Sequence, residues 1–367
     1  MKNILKLLLI SFLIGTLIIY PQTSAKSAVD SFNTCINILM PSLFPFFVLS
    51  QMFILSGGGK FIGNILTPIM LPLFNINGNG AVSFILGIIS GYPIGSKTAA
   101  ELFKQGAITK SEAESLICFS NNSGPLFIIG AVGVGILNSN IIGIFLYVIH
   151  ILSAVTLGVL LRFTISESRI NTRPAILENS PKNIFTTAVE NGIASLIKVF
   201  AYVIFFGIIM GICENSGVFV PISKFFELFH IKKEITDSVI YSVFELTTGI
   251  KKLSDTNCTL SLKLMLLSFM LGWSGFSIHF QTKSILKNFD FSFKKYIFAK
   301  FTQGIIAAVY TYIGLHIVQF EKTVFSAQHT DFERHLTHND ILNTATIILF
   351  IGYIILQRHH LKHNRRY

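Results

Sequence analysis

Residues Ile108–Gly135 read ITKSEAESLICFSNNSGPLFIIGAVGVG. Leu116–Phe119 and Leu126–Ile129 are apolar, but Ser120-Asn121-Asn122-Ser123-Gly124-Pro125 stand between them. Crossing about 30 Å of hydrocarbon takes about 20 consecutive apolar residues, and neither flank reaches that alone. Irregular backbone at membrane depth survives only where protein or a water-filled cavity satisfies its polar groups. The stretch therefore reads as a re-entrant hairpin or an unwound helix beside a cavity, with a plain surface turn as the alternative. Here Ser120, Asn121, Asn122 and Ser123 offer hydrogen bonds to a polar ligand, and the flexible Gly124 is a candidate substrate contact with them.

A second interruption lies just upstream, in Ser90-Gly91-Tyr92-Pro93-Ile94-Gly95-Ser96-Lys97. Pro93 lacks a backbone donor, and a half-helix starting after it presents free N–H groups that suit an anion. Lys97 either snorkels to the interface or lines a polar pathway. Ser90, Gly91, Tyr92, Gly95, Ser96 and Lys97 are candidate substrate contacts. Two further breaks follow in the second half, at Phe244–Gly249 and at Gly272–Gln281. They add Glu245, Thr248, Gly249, Trp273, Ser274, Gly275, His279 and Gln281. Glu245 is expensive in lipid and either pairs with a lysine or holds a coupling cation. For each of these residues a satisfied packing role competes with ligand contact.

The rest of the chain supplies scaffold around these breaks. Of 367 residues 51% are hydrophobic and 13% charged, where soluble chains carry about 25% charged. The net charge of +11 does not point to nucleic acid, because lysines and arginines cluster at the ends of apolar runs, as membrane anchors do. The fold class expected is an all-α polytopic membrane protein, transporter-like, with two inverted-topology repeats and broken or re-entrant helices. Clean spans are expected over Ile36–Leu55, Ile141–Leu161, Ile193–Ile212, Phe301–Val318 and Ile341–Leu356. The domain reading is 1–34, an N-terminal membrane helix and short outer loop; 35–163, a first repeat; 164–190, a polar cytoplasmic linker; 191–318, a second repeat; 319–340, a polar extracytoplasmic loop; and 341–367, a last helix with a basic cytoplasmic tail. Residues 1–28 resemble a signal peptide, and a retained helix is the favoured reading. Whether 62–74 and 218–229 cross or lie in the interface stays open.

Positive charge orients this map. Lys2, Lys6, Lys60, Lys97–Lys110, Arg162–Lys182, Lys287–Lys300 and the tail read as cytoplasmic, so the two halves run in opposite directions. Gly95 and Gly249, Ser120 and Ser268, and Gly124 and Gly275 recur at separations near 150 residues, as a repeat would have it. Lys251, Lys252 and Lys263 resist, because they fall outside. Scattered Cys35, Cys118, Cys213 and Cys258 read as free thiols. No GxSxG, HExxH, GxxxxGK[ST] or dinucleotide fingerprint occurs, so an enzyme, a metal site or a cofactor is not expected.

Three stretches, MPSLFPFFVLSQMF (Met40–Phe53), SGYPIGSK (Ser90–Lys97) and Ile108–Gly135, resemble the YlbJ family of sporulation integral membrane proteins, which carry a nucleoside-recognition (Gate) domain. The resemblance is strong over about 36–163 and weaker to about 318. It implies a transporter in the outer forespore membrane moving a small anion, dipicolinic acid, with a non-transporting scaffold for the spore envelope as the alternative. The partners expected are this anionic substrate, the bilayer that the composition demands and a coupling cation at Glu245. Tyr92 or Trp273 would stack on the ring, and Lys97 would meet a carboxylate. Loss of Lys97 or Asn121 is then expected to abolish dipicolinate accumulation.

Overall fold

The computed structural model of the chain describes residues 2–165 and 183–317. Most of the expected polar linker (its residues 166–182), the loop expected over 319–340 and the last helix expected over 341–356 lie outside the described residues. Among the described residues the secondary structure is helical and contains no strand, and the fold is that of an all-α polytopic membrane protein.

Helices α1 (Lys2–Ile19), α2 (Pro21–Thr34) and α3 (Met40–Leu55) open the chain, α2 and α3 being joined by a π-helical turn over Cys35–Leu39. The short outer loop expected before residue 35 is thus helical. Its serines explain why: Ser27 and Ser31 sit on Gly207 and Gly211 of a later helix, a small-on-small contact that lets backbones approach. Helices α4 (Gly58–Phe74), α5 (Ala81–Ser90), α6 (Ile94–Lys104), α7 (Lys110–Ser120), a π-helical stretch Leu126–Ile136 and α8 (Asn140–Leu161) complete the first half. The second half runs α9 (Ile184–Asn215), α10 (Val220–Glu227), α11 (Lys233–Phe244), α12 (Leu246–Asp255), α13 (Leu260–Trp273), α14 (Phe276–Ile285) and α15 (Phe293–Ile317). Helix α9 begins well before Ile193, because Ala188, Gly192, Leu196 and Val199 continue one buried stripe at helical spacing. The element order repeats: a long helix, a shorter one, a pair broken at one or a few residues, a second broken pair, and a long closing helix.

The first broken pair of each half folds back on itself. Helix α5 packs on α6, and α11 on α12, so each is a hairpin with the break at its tip. At the open end of the first hairpin the Asn79 amide donates to the Ala107 carbonyl at 3.2 Å, and the Asn77 N–H to Glu112 at 2.7 Å. That end also holds Lys110, ion-paired at 2.9 Å with Asp290. The open end of the second hairpin is a polar vestibule of about 660 Å³ that gathers Glu214, Lys232, Lys252 and Asp255. Between the two ends runs Leu260–Ile285, made of α13 and α14 with their break at Ser274 and Gly275, 26 residues long enough and apolar enough to cross a membrane. It starts beside Ser254, whose carbonyl accepts from Lys263 at 2.6 Å, and finishes a few residues before Asp290. The two hairpins therefore enter from opposite ends of the molecule, which is the inverted arrangement. Two of the awkward lysines are accounted for as well: Lys252 is paired with Glu214 at 2.7 Å and Lys263 is buried.

Hydrophobic faces point outward and polar ones inward. Ile141, Ile144, Val148 and Leu152 of α8, and Phe298, Ile305, Val309 and Ile313 of α15, are exposed. Ser83, Ser120, Asn121, Asn122, His150, Lys300, Gln303 and Thr311 are buried. Water would select the reverse, whereas hydrocarbon tolerates the first group and forbids the second. Besides Leu260–Ile285, the stretches Pro21–Leu55, Asn140–Thr164 and Ile184–Asn215 are long and apolar enough to cross, and Ile65–Phe74 with Gly78–Ser90 forms a pair bent by 102°.

Candidate functional site

Each hairpin tip crosses the second broken pair of its own half, and the crossing is made by a glycine. Gly91 (φ 76°, ψ −177°) follows α5 in a backbone region open essentially only to glycine. A Cβ there would come within 2.8 Å of the Gly124 nitrogen. Gly275 (φ 85°, ψ 156°) does the same in the second half, its would-be Cβ 2.9 Å from the Ser242 carbonyl oxygen and 3.3 Å from the Leu246 nitrogen. Hydrogen bonds pin the first crossing: Tyr92 to Ser123 at 2.6 Å, Ser90 to Ser50 of α3, and Ser83 to both the Gly95 carbonyl at 2.9 Å and Ser120 at 3.0 Å. The Ser96 hydroxyl closes on the Pro93 carbonyl at 2.9 Å.

In the second tip Glu245 stands in extended backbone between α11 and α12 and caps α12. Its carboxylate accepts from the Thr247 N–H at 3.0 Å and the Thr248 N–H at 2.6 Å. A negative charge at a helix N-terminus is stabilised by the helix dipole and by amides that lack an intrahelical partner. Neither lysine pairing nor a cation is needed to account for its burial. Nearby, the Trp273 indole donates to the Val243 carbonyl at 3.2 Å and packs edge-on to His279, with ring centroids 4.5 Å apart. Ser274 bonds back to the Leu271 carbonyl and Gly249 abuts Ser242.

Behind the 121–123 break lies a second polar layer that reading the residues in isolation missed. The Asn121 amide donates to Tyr296 at 2.8 Å and to Thr282 at 3.0 Å. Lys300, fully buried, donates to the Asn121 carbonyl at 2.9 Å and to Gln303 at 2.5 Å. Gln303 in turn donates to Asn122 at 3.0 Å, and the Ser123 N–H to His150 at 3.1 Å. Lys300, read from sequence as a cytoplasmic anchor, is thus the buried lysine of the region, whereas Lys97 stands exposed on α6. The missed signal was present: Tyr296, Lys300, Gln303 and Thr311 recur at helical spacing along α15 and share its buried face.

The tips meet at a narrow cavity of about 30 Å³, room for a water molecule or two. Of the candidates from sequence, Gly91, Tyr92, Gly124, Glu245 and Gln281 line it. Asn121, Asn122, Ser123 and His279 belong to the polar layer behind, and Ser90, Gly95, Ser96, Ser120, Thr248, Gly249, Trp273, Ser274 and Gly275 build the crossings. Lining residues that sequence reasoning did not single out include Thr247, Ser277, Leu39, Leu43, Val199 and Val203. Two of the polar linings lack partners: the Ser277 hydroxyl and both amide atoms of Gln281 are buried without a hydrogen bond. Buried polar atoms are nearly always paired, so such orphans mark a place that expects a ligand or water.

The chain matches the nucleoside-recognition (Gate) family over residues 37–140, which takes in the first hairpin, the 121–125 break and the π-helical stretch. It is similar to the sporulation integral membrane protein YlbJ of Bacillus subtilis (strain 168), 30% identical over 346 residues, 88% of this chain and 83% of that protein. No solved structure matches.

Proposed function

The chain belongs to the YlbJ family of sporulation integral membrane proteins, and on that premise we propose that it is a transporter of a small polar anion, dipicolinate, across the outer forespore membrane. The observation that carries this reading is the cavity at which two hairpin tips from opposite ends meet, lined by polar groups that lack partners. Broken helices converging near the middle of an inverted repeat are where secondary transporters hold their substrates. Gln281 and Ser277 offer hydrogen bonds suited to a carboxylate. The first turn of α14, which has no side-chain cap, offers free amides beside them. The apolar wall of Leu39, Leu43, Val199 and Val203 suits the edge of an aromatic ring.

A cavity of about 30 Å³ is far below the roughly 300 Å³ at which small-molecule pockets begin. The conformation described is therefore closed, and loading requires a tip to withdraw. Each hairpin is tied to its own half by the glycine crossing, so each moves with that half. Rocking of one half against the other then opens the cavity to one side at a time. The test is uptake of labelled dipicolinate by purified full-length protein in liposomes. Accumulation above protein-free vesicles, lost in Gln281→Leu, supports transport. Absence of uptake from well-folded protein in either orientation leaves the envelope-scaffold reading.

A further inference from the structure

Lys300 has no part in the cavity, yet it is the most deeply placed ionisable cation among the described residues, at 0% exposure. Its Nζ donates to the backbone carbonyl of Asn121, at the unwound break, and to Gln303. Among the described residues the ion pairs are Lys110 with Asp290 and Lys252 with Glu214, so no carboxylate answers Lys300. The titratable groups within electrostatic reach of it are Cys118 on α7, His150 on α8 and His279 on α14. Its own helix adds Tyr296, bonded to the same Asn121. Orphan polar atoms cluster around the same break: the acceptor Asn121 Oδ1, and the ring nitrogens His150 Nδ1 and His279 Nε2, are buried without partners.

A bare carbonyl at a helix break, a side-chain oxygen and a neighbouring orphan oxygen make the donor set with which broken-helix transporters hold a coupling cation. Here that position is filled by the chain's own nitrogen. We propose that Lys300 is an ion-coupling site whose ion is a proton: Nζ takes the place of a bound metal cation at the 121–125 break, and its protonation is linked to the opening of that break. One proton adds to the Nζ lone pair to give the ammonium and leaves again to water; no other bond changes. Both forms can keep the bonds to Asn121 and Gln303, since the neutral amine retains two N–H groups. They differ in charge, and a buried charge without a countercharge is the form that calls for water. The proton is thus taken up as the break opens to water and released as it closes.

Calling the proton a coupling ion rests on the transport reading, but the linkage itself does not, and it is tested without substrate. Amide hydrogen exchange over peptides spanning 116–127, corrected for intrinsic rates, is followed in the purified full chain between mildly acidic and alkaline pH, in sodium and in potassium. Protection is expected to fall several-fold on acidification and to be the same in both salts. Lys300→Gln and Lys300→Met should hold high protection at every pH, and Lys300→Arg, always charged, low protection at every pH. Unchanged exchange in α13 certifies that each variant is folded. A pH response that persists in both neutral variants, or protection in the wild type that follows sodium instead of pH, overturns the proposal. If the linkage holds while liposomes show no dipicolinate uptake, the transport reading alone has failed.

Discussion

Replacing Gly91 by alanine tests whether the two broken elements of the first half really cross. Two terms add. The backbone at φ 76°, ψ −177° strains any side-chain-bearing residue by about 1–3 kcal/mol. The new methyl would stand 2.8 Å from the Gly124 nitrogen, a backbone atom that cannot swing aside, and overpacking of that kind costs about 1–3 kcal/mol. The sum is about 2–6 kcal/mol. Gly106→Ala is the matched control: its φ is also positive, at 70°, but nothing lies within 4 Å, so only backbone strain of about 1–2 kcal/mol applies. Reversible unfolding in mixed micelles can be followed through Trp273, the only tryptophan, which sits buried at the break of the second half. With backbone strain alike at the two positions, Gly91→Ala is expected to lose about 1–3 kcal/mol more than Gly106→Ala, the overpacking that the crossing supplies. If the two variants unfold within about 0.5 kcal/mol of each other, the crossing does not exist as described.

Gln281→Leu removes two orphan polar atoms from the closed form, so it should raise stability by about 1 kcal/mol while abolishing dipicolinate uptake; a variant that is both less stable and fully active would sink the idea that the orphans wait for substrate. Glu245→Ala strips the cap from α12 and leaves two amides without their acceptor, a loss of about 2–4 kcal/mol with exchange rising first over 246–250. Unaltered exchange there would mean that water caps the helix equally well. In a cysteine-free background, Asn138→Cys and Asn257→Cys should react with an impermeant thiol reagent from one side of the membrane and Lys97→Cys from the other. Labelling of Asn138→Cys and Lys97→Cys from the same side contradicts the inverted arrangement.

Much of the architecture was legible in the residues because its causes are local. Long apolar runs demand a bilayer, and Gly91, Pro93, Gly124, Pro125 and Gly275 stand at or beside the helix breaks. Lysines at the ends of runs point to two halves of opposite direction, and the two hairpins enter from opposite ends of the molecule. The helical state of 21–34 was not legible, because Ser27 and Ser31 reveal their use only beside Gly207 and Gly211.

The polar breaks themselves followed from sequence; what the polar residues at those breaks touch did not. Lys97 and Lys300 look alike as charges at the edges of apolar stretches, and composition assigns both to the cytoplasmic side. One is exposed and the other wholly buried because α15 packs against α7, bringing Lys300 to a carbonyl 179 positions away. Glu245 and Gln281 stood together as candidate ligand contacts, yet Glu245 finds its acceptorless amides two and three residues on while Gln281 finds none. Helix, break and orientation depend on a residue and its near neighbours along the chain. Partnership, burial and the shape of the closed cavity depend on which segments fold back on which, and only the packed structure decides that.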